Sequence, residues 1–387
     1  MLLAMNAIEM SLAVKVFLVT CEYPPFPGGI ATYCGGLVGA LEAAGVEVEI
    51  AAPHYPEFAG LELDRDNVHR IFGHHNVSPE AALKLITLLR GQPAGTLVLA
   101  ADIRSVAILY ATALLHRKSY RVMVHGSEAS KFSGGSVVHR ILRRAYLFAD
   151  VVLYNSEATG RIFRNAVGNP RNECVTYLGV DPYWFSSPQT SEFENEELQQ
   201  LAQDRIVFCS TGRIEPRKGQ LETVQALAQA KERHCLTDVV YCIAGRVEDA
   251  GYAARVEHEA EQLGVPVLFL GRLSDDDLKR LYQRSVCHIL FAQSLPGKVE
   301  GFGLVLLEAA AQGCPSIASN TGGIPEVIGD DEAIVASDGI EELGRILARI
   351  AMDIKFREEL SKTASSNSRE FSWRKCASLS FAEFSLN

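Results

Sequence analysis

Val14-Lys-Val-Phe-Leu-Val-Thr20 is followed by Tyr23-Pro-Pro-Phe-Pro-Gly-Gly29, then by Ile30 with Tyr33, Leu37 and Leu41, and then by the run from Val46 to Ala52. The first and last runs are short, apolar and β-branched, as strands are. Between them, after a Pro/Gly loop, apolar residues recur every three or four positions, the spacing of one helix face. A strand, a helix and a second strand in that order make the crossover unit that joins parallel strands. Repeated, it predicts an α/β fold with doubly wound, Rossmann-like sheets.

The unit does repeat. Further strands are expected at 96–101, 120–125, 150–155 and 174–178, with helices between. The stretch 186–203 is polar and acidic and reads as a linker. A second series starts at Ile206-Val-Phe-Cys209 and continues with strands at 239–244, 267–270, 288–291 and 316–319. Two helical stretches follow Asp338, and Phe371-Ser-Trp373 leads into a last amphipathic segment. A chain of 387 residues is long enough for two cores. The expected division is 1–188 for the first domain, completed by 371–387, and 189–370 for the second. Ligands of such sheets bind beyond the carboxyl ends of the strands, so a cleft between the domains is where the site is expected.

Composition narrows the function. The formal charge of −10 argues against nucleic acid as a partner. Against that total, residues 104–171 hold eleven Lys/Arg and only three acids. This basic sector suits a phosphorylated acceptor or peripheral contact with an anionic membrane. Nine cysteines without a CxxC pair give no disulfide framework and suit a reducing compartment. No run is long and apolar enough for a membrane span, and Met1 to Val14 lacks the basic start of a signal peptide. The expectation is a cytoplasmic protein, or one peripheral at the inner face of the membrane.

Two motifs carry chemistry. In Glu300-Gly-Phe-Gly-Leu-Val-Leu-Leu-Glu308, Gly301 and Gly303 turn the backbone tightly before an apolar helix that starts near Leu304. Such a helix start offers backbone N–H groups and a positive dipole end to an anion such as a diphosphate. Glu300 is placed to accept hydrogen bonds from sugar hydroxyls, and Glu308 to reach a ribose. In Ser210-Thr-Gly-Arg213-Ile-Glu-Pro-Arg-Lys218-Gly-Gln220, just after a strand, Arg213 offers a planar fork and Lys218 a point charge, a pair suited to a pyrophosphate leaving group.

With Gly28-Gly29-Ile30, His125-Gly-Ser-Glu128, Asn155-Ser156, Gly179-Val-Asp181 and Gly322-Gly-Ile-Pro-Glu326 added, the sequence resembles glycosyltransferase family 4, retaining nucleotide-sugar-dependent enzymes of the GT-B architecture. The resemblance implies two Rossmann-like domains facing across a cleft, with donor in the second and acceptor in the first. It implies that Arg213 and Lys218 bind the diphosphate and that Glu300 binds the transferred sugar, with Gly301, Phe302, Gly303 and Leu304 beside it. Glu308 would hold the ribose, and the backbone near Leu273 would touch the base. Gly28 and Gly29 would close over the phosphates, and His125 would sit near the anomeric carbon. The implied activity is transfer of a hexosyl unit from GDP-mannose or a UDP-hexose to a saccharide, phosphorylated or lipid-linked acceptor, in polysaccharide or glycoconjugate synthesis. The loops at 54–80 and 127–140 are the expected acceptor side.

No metal or other cofactor is expected. Asp64-Arg-Asp66 lacks a strand–loop context, and Ser274-Asp-Asp-Asp277 reads as a helix cap with an acidic first turn. His74-His75 has no partner at ligand spacing, and no Gly-x-Gly-x-x-Gly follows the first strand. Lys298, in the loop before Glu300, is a candidate for donor choice. Two rivals remain: a sugar-nucleotide epimerase of the same architecture, and a non-catalytic sugar-nucleotide-binding subunit.

Overall fold

The structure is a computed structural model that describes residues 15–56, 65–73, 77–126, 128, 132, 136–190 and 205–383. The chain divides into two compact units, Met1–Gly179 with Ser372–Asn387, and Val180–Phe371. His74, His75, Asp64, Ser127, Met1 to Val14 and linker residues 191–203 lie outside the described residues.

The first unit contains β1 (Lys15–Val19), α1 (Gly29–Ala43), β2 (Glu47–His54), β3 (Val68–Gly73), α2 (Pro79–Gly91), β4 (Leu97–Ala100) and α3 (Ile103–His116). It continues with β5 (Arg121–Val124), α4 (Val137–Leu147), β6 (Val151–Tyr154), α5 (Glu157–Val167) and β7 (Glu173–Val175). The second contains β8 (Ile206–Thr211), α6 (Gln220–His234), β9 (Val239–Ala244), α7 (Ala250–Leu263), β10 (Val267–Gly271), α8 (Asp275–Arg284) and β11 (Cys287–Leu290). After these come α9 (Leu304–Ala311), β12 (Ser316–Ser319), α10 (Ile324–Ile328), β13 (Ile334–Val335), α11 (Ile340–Met352) and α12 (Ile354–Ser368). A final helix, α13 (Trp373–Ser380), returns to the first unit.

Both sheets are parallel. Their orders are β3-β2-β1-β4-β5-β6-β7 and β10-β9-β8-β11-β12-β13. Helices cover the strands, so β1 and β9 are buried along their whole length, which is why both read as continuous apolar runs. In each sheet the winding reverses once, between β1 and β4 and between β8 and β11. At such a switch point the loops after the two strands part and leave a crevice. In the second unit those loops run from Gly212 to Gly219 and from Phe291 to Gly303, and they carry Arg213, Lys218 and Glu300.

The first unit's switch point is tied by Asp102. Its carboxylate caps α3 through the N–H groups of Arg104 and Ser105 and accepts from the Cys21 N–H at 2.5 Å, joining the loops after β1 and β4. Trp373 of α13 lies against α1 where Gly36 leaves room: a Cβ there would fall 2.2 Å from the indole. Arg121 fixes the end of the chain by donating to the Ser380 carbonyl at 2.5 Å and by pairing with Glu383.

Three expectations need correction. The boundary falls at Gly179, not at 188, because Asp181 to Phe185 packs within the second unit: the Tyr183 hydroxyl donates to Asp276 at 2.7 Å and Lys279 lies 3.1 Å over the Tyr183 ring. Residues 186–190 are not free linker either, since Arg280 donates to the Thr190 carbonyl at 2.9 Å and Lys279 to Ser186 at 2.9 Å. Within the supposed loops 54–80 and 127–140 lie β3 and the start of α4. β3 is an edge strand whose Val-His-Arg-Ile-Phe-Gly alternates too weakly to announce itself. All nine thiols are free. Among the described residues no helix is long and apolar enough to cross a membrane.

Candidate active site

β8 ends in a turn at Gly212, and Pro216–Lys218 then forms a single 3-10 turn that closes on Gly219. Gly219 has φ +72°, and a Cβ there would meet the Phe291 carbonyl oxygen at 1.8 Å. Only glycine lets this loop pass so close to the end of β11. The Gln293 N–H then donates to the Arg217 carbonyl at 2.8 Å, so the two loops of the switch point are stitched together.

The contact brings five charges into one network. Lys218 Nζ lies 2.6 Å from Glu300 Oε2, and Arg217 Nη1 reaches the same oxygen at 2.5 Å. Arg217 Nη2 pairs with Glu215 Oε1 at 3.0 Å, and Arg213 Nη2 reaches that oxygen at 3.1 Å. Glu215, Arg217, Lys218 and Glu300 are largely withdrawn from solvent, whereas Arg213 is half exposed. Burial alone would raise the Glu300 carboxyl, but Lys218 and Arg217 outweigh it and hold the group down at about 2. Burial pulls Lys218 below the usual lysine range against the opposing pull of Glu300.

Both cations land on Oε2. Among the described residues no donor is bonded to Glu300 Oε1, which leaves that oxygen to accept from a ligand hydroxyl. Three residues on, Gly303 at φ +88° is the N-cap of α9 and, as a glycine, brings no side-chain cap to that helix end. An ionised carboxylate with an open oxygen, two fixed cations and a glycine-led helix start lie within one short stretch of two loops. Such a set can orient a polyol and hold an anion.

Glu308 sits one turn into α9 and faces a second polar chain. The Tyr282 hydroxyl donates to Glu308 Oε2 at 3.5 Å and lies 2.8 Å from Thr211 Oγ1. Thr211 is 3.1 Å from His288 Nε2, and His288 Nδ1 is 3.2 Å from Ser316 Oγ. Burial, with Asp275 nearby, pushes the Glu308 carboxyl up to about 7. Burial holds His288 down at about 3, so the imidazole stays neutral. Leu273 precedes the Ser274 cap of α8, and Ser274 Oγ accepts from the Asp277 N–H at 3.1 Å, as the acidic string predicts. Lys298 is exposed and only 3.6 Å from Glu215, so it borders the network.

In the first unit, Gly28 caps α1 and Gly29 opens it. His125 follows β5; its Nε2–H donates to the Ala101 carbonyl at 3.0 Å and its ring meets Tyr33 of α1 edge-on at 5.1 Å. The structure therefore gathers Arg213, Lys218, Glu300 and the 301–304 turn in one place. It sets Glu308 and Leu273 by α8 and leaves His125, Gly28 and Gly29 on the first unit. Sequence reasoning passed over Arg217, Glu215 and Tyr282. The first two stood in the quoted Glu-Pro-Arg-Lys string, whose alternating charges were the available signal.

Residues 27–184 match the model of Glycosyltransferase Family 4, and residues 191–367 match that of Glycosyl transferases group 1. Between them the two matches take in most of the chain. The chain belongs to glycosyltransferase family 4. This glycosyltransferase is 29% identical over 357 residues to a GDP-mannose-dependent α-(1-6)-phosphatidylinositol monomannoside mannosyltransferase of Mycobacterium tuberculosis, covering 88% of this chain and 89% of that one. A Corynebacterium glutamicum enzyme, a GDP-mannose-dependent monoacylated α-(1-6)-phosphatidylinositol monomannoside mannosyltransferase, is 25% identical over 353 residues, 89% of this chain and 90% of that one. In fold, the glycosyltransferase matches Anabaena HepE, solved with UDP and glucose, at a TM-score of 0.78 and 20% identity, over 95% of this chain and 98% of the other.

Proposed function

We propose that this glycosyltransferase moves a hexosyl unit, mannose from GDP-mannose in the first instance and a UDP-hexose in the second, to a lipid-linked or phosphorylated saccharide, with retention at the anomeric carbon. The observation that carries the reading is Glu300: Lys218 and Arg217 hold one oxygen, and the other is open beside a glycine-led helix start. Two relatives whose names specify GDP-mannose and phosphatidylinositol mannoside acceptors support the donor and a lipid-linked acceptor.

In the proposed reaction, the bond from the anomeric carbon to the β-phosphate oxygen breaks and its electron pair stays on the phosphate. Arg213, Lys218 and the α9 start stabilise that growing charge. The acceptor oxygen attacks from the same face, and its proton passes to the departing phosphate oxygen. Glu300 Oε1 accepts a hydroxyl of the sugar, and Glu308 takes the ribose. The N-terminal unit takes the acceptor; of its residues, Gly28 and Gly29 are the candidates for the donor phosphates and His125 for the anomeric carbon. No metal has a part in this scheme.

The test is to incubate the protein with GDP-mannose and UDP-hexoses, with and without a mannosylated phosphoinositide, and to follow nucleotide release and product stereochemistry by NMR. An α-linked product from an α-linked donor is expected. Donor consumption without acceptor would instead point to an epimerase, and binding without turnover to a non-catalytic subunit.

A further inference from the structure

Of the eleven cations of the basic sector at 104–171, five are occupied inside the unit, Arg117, Arg161 and Arg171 are exposed away from α4, Lys131 lies outside the described residues, and two stand on α4. Arg104, Lys118, Arg121, Arg143 and Arg164 are occupied inside the unit: Arg104 donates to the Cys21 carbonyl, Lys118 to Gln92, Arg121 to Ser380, Arg143 to Phe132, and Arg164 pairs with Glu173. Arg140 and Arg144 on α4 are different. Both are exposed, and among the described residues no carboxylate pairs with either. α4 reads Val-Val-His-Arg-Ile-Leu-Arg-Arg-Ala-Tyr-Leu, without one acid.

The inner face of α4 is spent on the core through Ala145 and Tyr146. Its outer face holds Val137 (61% exposed) and Ile141 (50%), with Phe148 (57%) just past the last turn. At about 100° per residue these three fall in one stripe, with Arg144 in line and Arg140 on its flank. Val138 is exposed beside them, and Leu114, near the end of the neighbouring α3, is 91% exposed. Water gains nothing from such a stripe, and a folded surface seldom carries one without a use.

We propose that α4 docks the N-terminal unit on an anionic lipid bilayer, with Val137, Ile141 and Phe148 below the headgroups and Arg140 and Arg144 on lipid phosphates. The mixed composition chooses the occupant. Apolar side chains interleaved with arginines on an acid-free helix match the headgroup–acyl boundary of a bilayer. A polynucleotide would engage the arginines and leave the valine and isoleucine idle. A second copy apposed through this face would bring Arg140 and Arg144 against their own equivalents without a carboxylate between them. The face shares no residue with those assigned to the donor, so its failure leaves the proposed reaction standing.

The test is co-sedimentation with vesicles of phosphatidylcholine alone and of phosphatidylcholine mixed with phosphatidylglycerol. Wild type, Arg140→Ala/Arg144→Ala and Ile141→Asp are compared, each checked by its melt and by its thermal response to donor nucleotide. Val137→Ser replaces Ile141→Asp if the latter fails its melt. Wild type is expected to bind only the anionic vesicles, and about 1 M salt should remove most of the binding. The double arginine variant should lose about 30-fold, about five-fold for each charge. Ile141→Asp should lose about ten-fold or more, from lost apolar burial and the added negative charge together. The proposal is overturned if wild type stays in the supernatant with anionic vesicles, or if both variants bind like wild type. It is equally overturned if sedimentation velocity finds a lipid-free dimer that Ile141→Asp separates, because the face then belongs to a second copy.

Discussion

Lys218 and Glu300 stand 82 positions apart in sequence and 2.6 Å apart in space. Their contact joins the loop after β8 to the loop after β11, and with Arg217 it holds the Glu300 carboxyl ionised before any ligand arrives. Arg217 doubles the connection by reaching Glu300 with one nitrogen and Glu215 with the other. Ligand binding therefore meets groups already oriented, with little left to reorganise.

Lys218→Ala removes a cation aimed at the leaving group while sparing the fold's apolar core. We expect kcat/KM to drop by about 10²–10³, the usual effect of deleting one electrostatic contact in the transition state. Donor affinity should fall less than kcat. Steady-state kinetics check this, and a weaker donor affinity with kcat unchanged would mean that Lys218 serves binding alone.

Arg217→Met keeps bulk but leaves Glu215 and Glu300 short of a partner in a largely buried setting. The expected loss is about 3 kcal/mol of stability, as for breaking a buried ion pair. Urea unfolding measures it. The paired change of Arg217→Met with Glu215→Gln should recover part of the loss, because fewer charges are then stranded.

Two carboxylates give opposite pH signatures. Glu300 is lower when folded, at about 2 against an ordinary 4.5, so the stability it adds is complete above 4.5 and disappears as pH falls from 4.5 towards 2. Glu308 is higher when folded, at about 7, so its ionisation weakens the fold as pH rises from 4.5 through 7. Glu308→Gln should thus gain stability over wild type across that interval, on the order of 1–2 kcal/mol at pH 8. Melting curves at pH 5 and 8 decide; a constant difference between the two would refute the assignment.

Gly36→Ala forces a methyl into the Trp373 indole, with ring carbons and nitrogen within 2.5 Å of the new atom. The expected cost is about 1–3 kcal/mol, typical of overpacking. In the Trp373→Ala background the same change should cost much less, and chemical denaturation of the four proteins gives the coupling directly.

Overnight dialysis against EDTA should leave transfer unchanged, since the proposed scheme meets the leaving charge with Arg213, Lys218 and a helix end. A loss of activity restored by magnesium or manganese would overturn that part of the scheme.

The crossover units were legible because burial on both faces leaves strands such as Val239 to Ala244 with no polar interruption. β3 was not, since an edge strand keeps water on one side and tolerates His69 and Arg70. The 300–308 element announced its helix start through two glycines, yet nothing in it told that Glu300 would be held by cations. That pairing depends on the winding order of the sheet, which sets β11 beside β8 and is invisible to local pattern. Arg217 was hidden for a simpler reason. Two adjacent cations look alike in sequence, and only the geometry of the 3-10 turn separates them. Arg217 bridges both carboxylates, while Lys218 meets Glu300 alone.

Trp373 gives the order of manufacture an importance of its own. A ribosome completes the first sheet early, but the slot over Gly36 stays vacant until the intervening unit, Val180–Phe371, has been made. A product cut short before Trp373 would therefore keep its first sheet and lack the indole that covers α1 at Gly36.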